Sequence, residues 1–290
     1  MKQAILISTG LLLITPFIHA EKNKDKKPNV VFILADDLGY GDLSCYGQEK
    51  FETPNIDKLA QSGMRFTQCY SGTTVSAPSR SCLLTGTHSG HTPVRGNLEL
   101  DPEGQFPLPD DARTIFEVMK DAGYKTSAFG KWGLGYIGST GDPKNQGCDT
   151  FYGYNCQLLA HSYSPDHLWD NDKRVELEDN NLNVQYGKGT YSQDLIHGKA
   201  LKYLDNMNPD EPFFMWYPTI IPHAELIVPE DSIIQKFRGM YPEKPYKGTE
   251  PGSPAFRKGG YCSQFHPHAT FAAMVYRLDV YVGQILQKLK

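Results

Sequence analysis

Cysteine is scarce and scattered: Cys45, Cys69, Cys82, Cys148, Cys156 and Cys262 form no C-x-x-C pair and no framework spacing. That excludes a cysteine-rich zinc module and a disulfide-stapled mini-scaffold, while occasional pairing and buried thiols both stay open. Basic charge is not in surplus either. The 29 Lys and Arg face 33 Asp and Glu, a net charge of −4, so no basic surface of the nucleic-acid type is offered. Repeats of fixed period are missing. Beyond the first twenty residues no apolar run approaches the ~20 residues that a membrane span needs. What is present is 39% hydrophobic and 12% aromatic residues with 27 Gly and 20 Pro, the composition of a loop-rich globular protein. A chain of 290 residues buries roughly three quarters of its unfolded surface, enough for a core and a deep site.

The first residues have their own pattern: Lys2, an apolar run from Ala4 to Phe17 with Pro16 near its end, and Ala20 at a cleavage position. Residues 1–20 read as a signal peptide, which implies an exported protein, periplasmic or secreted, with no stable membrane insertion. Its removal leaves 28 basic against 33 acidic residues. No Cys precedes Cys45, so no lipid-attached Cys is offered at the cleavage point. The Lys-rich stretch 21–28 reads as a solvated leader, and residues 21–290 are expected to form one domain.

From Asn29 to Leu34 runs an uninterrupted apolar strand, suited to a parallel strand covered on both faces. A helix follows, with Thr53 as cap, Pro54 at its first position, Ile56, Leu59 and Ala60 on one face, and Gly63 as stop. Met64 to Tyr70 reads as a strand. Pro78 opens a short helix ending at Gly86, and Thr114 to Ala122 makes another. Lys125 to Phe129 is a strand, 192–206 a helix, Pro212 to Tyr217 a buried strand, and 269–289 a long helix with Leu278, Val282, Ile285 and Leu289 at helical spacing. Strands alternating with helices predict an α/β fold: a mostly parallel central sheet with helices on both faces. Residues 239–260, with four prolines and five glycines, read as an inserted surface loop.

Asp36 and Asp37 follow the carboxyl end of the first strand, where open α/β sheets place ligands. Adjacent carboxylates repel unless a cation holds them; oxygen donors point to Ca²⁺, with Mg²⁺ possible, and not to zinc. A pair of surface turn acids is the competing reading. In Ser76-Ala77-Pro78-Ser79-Arg80, Ser76 lies just before a helix whose unpaired N–H groups favour an anion, and Arg80 projects a fixed cation from the same turns. An ordinary Ser-Pro cap with an exposed Arg would look the same.

Asp36-Asp37 after a leading strand, Ser76-Ala77-Pro78-Ser79-Arg80 followed by Leu84-Thr85-Gly86, then Gly130-Lys131-Trp132, then Pro222-His223, in that order, closely resemble the type I sulfatases of the alkaline phosphatase superfamily. The resemblance runs from about residue 28 to the end. It implies hydrolysis of sulfate esters, on sulfated glycans or aryl esters, through a formylglycine made from Ser76 by a serine-accepting maturing enzyme. A plain hydroxyl is poorly nucleophilic, whereas the aldehyde hydrate attacks sulfur with one oxygen and expels sulfate when the other is deprotonated. By the same resemblance Asp36, Asp37 and residue 76 hold Ca²⁺, Arg80 supports the hydrate, Lys131 contacts the sulfate and His223 assists the leaving group.

Two departures stand out. Where the family commonly has G-K-W-H-L-G, this chain has Gly133 in place of His; His161 is a candidate substitute, with a structural role the competing reading. His88 and His91 either line the pocket or lie in an exposed loop, and His266 and His268 are expected to be solvated. Family members also continue into a strand ending in Asp-Asn-Gly, whereas this sequence stops at Lys290. It therefore resembles a truncated sulfatase, expected by itself to bind Ca²⁺ weakly, to show little activity, and to leave a sheet edge open. A phosphoesterase of the same superfamily and a non-catalytic binding remnant are the alternatives.

Overall fold

The computed structural model describes residues 26–180, 189–249 and 261–290. The signal peptide at 1–20 and residues 250–260 of the Pro-rich loop lie outside the described residues. Six strands, β1 (Val30–Asp36), β2 (Lys125–Lys131), β3 (Thr150–Tyr154), β4 (His167–Asp170), β5 (Lys173–Glu176) and β6 (Phe213–Pro222), form one sheet in the order β1-β6-β2-β3-β4-β5. The first four in that order run parallel, and β4 and β5 are antiparallel. The helices are α1 (Pro54–Ser62), α2 (Ser76–Thr85), α3 (Ile115–Asp121), α4 (Ser192–Asp205), α5 (Ser232–Phe237) and α6 (Pro267–Lys288).

Strand β6 shows why helices cover both faces. All ten of its residues are buried, and alternate side chains enter different cores. Phe213, Met215 and Tyr217 join Ile196 and Ala200 of α4 and Leu278 and Val282 of α6. Phe214 and Trp216 meet Ala77 and Leu84 of α2 and Phe116 of α3. Phe116 lies within 5.2 to 5.8 Å of Trp132, Phe214 and Trp216, edge-on or tilted toward each.

Several local expectations need correction. Strand β1 is at the sheet edge among the described residues, and Phe32 is 37% exposed; it is β6 that is covered on both faces. Residues Met64 to Tyr70 form no strand, and Met64, Phe66 and Tyr70 are exposed. None of the residues of α1 is fully buried, and Leu59 faces solvent. Leu289 caps α6 and is exposed. Helix α2 begins at Ser76, two residues earlier than Pro78 suggests. Strands β3, β4 and β5 are short and were not marked by any apolar run.

Candidate active site

The carboxyl ends of β1, β2 and β6 and the start of α2 enclose a cavity of about 500 Å³. Asp36, Asp37, Ser76, Arg80, Lys131 and His223 all line it. Asp36 ends β1, and Asp37 follows it at φ 59°, with its side chain turned to solvent. Ser76 is the first residue of α2, with Val75 at the cap position, so it is part of the helix and not ahead of it. The next N–H of that helix, at Ala77, donates to Asn97 Oδ1 at 2.9 Å, leaving one fewer free N–H for an anion than the sequence implies.

Arg80, one turn along α2, binds the site together. Its Nε donates to Ser76 Oγ at 3.0 Å, one terminal nitrogen donates to the Lys131 carbonyl at 2.7 Å, and the other reaches Asp36 Oδ2 at 3.2 Å. Lys131 Nζ donates to the same Asp36 oxygen at 2.8 Å. Arg80 and Lys131 are 2% and 1% exposed. Burial alone would push the Asp36 carboxyl up, but Lys131 and Arg80 outweigh it and hold the pKa at about 2. Burial and the neighbouring Arg80 charge bring Lys131 down to about 8 against the pull of Asp36. Both groups are charged at neutral pH.

Gly130 explains how Lys131 reaches this place. At φ 140° its backbone passes so close to β6 that a Cβ would lie 2.1 Å from the Pro218 carbonyl oxygen; only glycine lets the strands close up. At the mouth, His223 Nε2 lies 3.5 Å from Asp37 Oδ2. Its ring stacks on His161 at 5.4 Å, and Tyr261 approaches both rings edge-on. His161 therefore lines the cavity. His88 and His91 do not; they lie exposed in the loop after α2, 6.5 Å apart. His266 and His268 are exposed, as expected. Cys45, Cys69, Cys82 and Cys148 are thiols, and burial pushes that of Cys148 well above its ordinary pKa. Sequence reasoning missed Asn97, Gln157 and Tyr261, which line the same cavity.

Among the described residues no group of three or more His, Cys, Asp or Glu side chains is arranged to enclose a metal ion, and no helix is long and apolar enough to cross a membrane. The donor chemistry nevertheless suits a hard cation. Asp36 and Asp37 offer adjacent carboxylates in the cavity that the Ser76 hydroxyl also lines, part of an oxygen shell that for Ca²⁺ takes ~6–8 ligands.

At the carboxyl ends of parallel strands, a buried Arg80 and a buried Lys131 share the Asp36 carboxylate, and Arg80 also holds the Ser76 hydroxyl. The chain belongs to the sulfatase family: the Sulfatase family model matches residues 28–290. It is 30% identical over 219 residues to the N-acetylglucosamine-6-O-sulfatase of Bacteroides thetaiotaomicron, covering 76% of this chain and 35% of that protein. It is 32% identical to the arylsulfatase of Klebsiella aerogenes, covering 77% and 48%. The structure of Ps i-CgsB in complex with k-i-k-neocarrahexaose superposes with a TM-score of 0.71 at 27% identity, over 91% of this chain and 55% of that one. A second structure, of BT4656 with D-glucosamine-2-N,6-O-disulfate, gives 0.60 at 29% identity, over 76% and 39%. The chain thus spans less than half the length of these two curated relatives.

Proposed function

We propose that this chain carries the catalytic site of a sulfuric ester hydrolase whose substrates are sulfated glycans or aryl sulfates, and that it works once Ser76 has become formylglycine. The observation that supports it is the contact of a buried Arg80 with Ser76 Oγ, in a cavity where Lys131 supplies a second buried cation. The unmodified hydroxyl is a weak nucleophile. Its oxidation removes two hydrogens, with their two electrons, to a serine-accepting maturing enzyme, and the aldehyde hydrate supplies both an attacking oxygen and a second hydroxyl for release of sulfate.

The chain's own residues do the rest. Arg80 holds the oxygen of residue 76 in place through a guanidinium whose other arms are fixed on the Lys131 carbonyl and Asp36. Lys131 binds the sulfate group, its charge strengthened by exclusion from water. His223, at the mouth, donates a proton to the departing oxygen. Asp36, Asp37 and residue 76 would hold Ca²⁺ or Mg²⁺, which would neutralise charge on the bound sulfate. The volume of the cavity and the His161, His223 and Tyr261 rings that line it suit a sugar unit, in keeping with the neocarrahexaose and glucosamine disulfate complexes of the two structural relatives. Residues 1–20 support export.

The test is production alongside a serine-accepting maturing enzyme, followed by peptide mass analysis. Loss of two hydrogens at residue 76 is the expected result. An unaltered Ser76, in a host shown to mature another serine-type sulfatase, would overturn the proposal.

A further inference from the structure

Gly133, where a side chain is missing, is not an empty position. It sits at φ 73°, and a Cβ there would lie 2.2 Å from Gln157 Nε2, 3.1 Å from the Gln157 amide carbon and 3.7 Å from Arg80 Cδ. The Gln157 carboxamide thus fills the space that a side chain at 133 would take, beside the arginine that holds Ser76. Gln157 is 1% exposed and lines the cavity. Its backbone N–H donates to Gln105 Oε1 at 3.2 Å, and Nε2 donates to the Gly133 carbonyl at 3.3 Å. That carbonyl accepts only a donor, which fixes which end of the amide faces it. The other end, Oε1, is buried without a hydrogen-bond partner among the described residues.

A buried amide oxygen with no donor costs free energy unless function supplies one. The chemistry of the cavity narrows what that donor is. The sulfate group presents only acceptor oxygens, which an amide oxygen repels, and the hydrogen bonds of Arg80 and Lys131 go to Ser76, Asp36 and the Lys131 carbonyl, none of them to Oε1. A hydroxyl is the donor that suits it. We propose that Gln157 is a further binding residue for the reacting group: its Oε1 accepts a hydroxyl hydrogen from the hydrate formed at residue 76, favouring the hydrate over the free aldehyde. This rests on the formylglycine reading above. The equilibrium concerned is aldehyde plus water to a carbon bearing two hydroxyls, with no change of oxidation state.

The experiment uses the full chain produced with the maturing enzyme, in the parent, Gln157→Met and Gln157→Glu forms. Met keeps the length and removes the acceptor; Glu keeps an acceptor. Peptide mass analysis first gives the fraction of residue 76 oxidised. Methoxyamine is then added to the folded protein, where it condenses with free aldehyde to an oxime and water, and the rate is measured per oxidised residue. Gln157→Met should react roughly 3- to 10-fold faster, the factor set by one net hydrogen bond, with Gln157→Glu within about twofold of the parent. The same order of rates in Gly133→Ala, whose methyl displaces the amide, would support the assignment in a second way. An oxidised residue 76 reacting at one rate in parent and Gln157→Met overturns the inference alone, and a hydroxyl of the substrate then becomes the partner of Oε1. A parent in which Ser76 stays unoxidised overturns the formylglycine reading and this inference with it.

Discussion

Arg80 does what no lysine could at this position, because its three nitrogens serve three differently placed acceptors at once: Ser76 Oγ, the Lys131 carbonyl and Asp36. The planar fork holds them in one geometry. In protein matured at residue 76, Arg80→Ala and Lys131→Ala should each lower turnover of an aryl sulfate by ~10²-fold or more, the usual loss when a cation aimed at developing anionic charge is removed. His161→Ala should cost far less, since His161 touches the site by stacking on His223 at the mouth. Steady-state kinetics on the three variants checks this; equal and small losses would show that the roles assigned from family resemblance are wrong. The six residues singled out in the sequence were legible because they stand in a specific order of short motifs, and the structure brings all six to one cavity. Gln157 was not legible. Its position is significant only through the space that Gly133 leaves, and that space exists only in three dimensions.

At the scale of elements, α1 is anchored from the far end of the chain. Thr53 occupies its cap position but makes no side-chain cap; its hydroxyl is engaged with Ser44 instead. The orphan N–H groups of Asn55 and Ile56 donate to Asp279 Oδ1 of α6 at 2.9 and 2.8 Å, and Asn55 Nδ2 donates to Oδ2 at 2.8 Å. Gly283, one turn on, lets the two helices approach, since a Cβ there would meet Asn55 at 2.6 Å. Asp279→Ala should therefore destabilise the fold by about 1–3 kcal/mol in denaturant titration, because it leaves three half-buried donors unpaired; Thr53→Ala should leave the α1 N–H groups satisfied. The β4–β5 hairpin carries a second unheralded device. His167 lies between Glu103 at 2.9 Å and Asp166 at 2.7 Å, and Trp169 Nε1 also donates to Glu103. Burial opposes charge on both His167 and Glu103, but their mutual hydrogen bonds win, so the histidine pKa is raised and that of Glu103 is held at about 2. A raised histidine gives stability that is full below its unfolded pKa, ~6.5, and lost as pH rises through the higher folded value. His167→Gln should accordingly destabilise more at pH 5.5 than at pH 9; a pH-independent loss in thermal unfolding would assign it to packing. Periodicity showed the long helices and the buried strands. It failed at Met64 to Tyr70, where apolar and polar residues alternate only over the first four positions and no neighbouring strand pairs with them among the described residues, and at the four-residue β4 and β5, too short to carry a pattern.

For the molecule as a whole, the site lies where the parallel part of the sheet delivers three strand ends, and its charge balance follows from that convergence. Asp36 is held by two cations that come from different elements, α2 and β2. A divalent ion approaching Asp36 and Asp37 therefore meets a carboxylate pair whose inner member is already neutralised. Two carboxylates also supply at most four oxygens of the ~6–8 that Ca²⁺ takes. Calorimetric titration of the chain with CaCl₂ should give weak binding, with a Kd of ~10⁻⁴ M or above, in the range of low-affinity sites. The same reasoning gives two effects of opposite sign for one substitution. Lys131→Met removes the positive charge 2.8 Å from Asp36, so Ca²⁺ binding should tighten by roughly tenfold, a free-energy change of about 1.4 kcal/mol and modest beside the attraction of like-placed charges at such a distance. Inorganic sulfate binding should weaken in the same variant, because a buried cation is lost from its pocket. Tight Ca²⁺ binding by the parent would mean that further oxygen donors complete the shell. Loss of both ligands in Lys131→Met would mean instead that Lys131 acts chiefly by holding Asp36 in position, with Arg80 left as the cation that meets the sulfate.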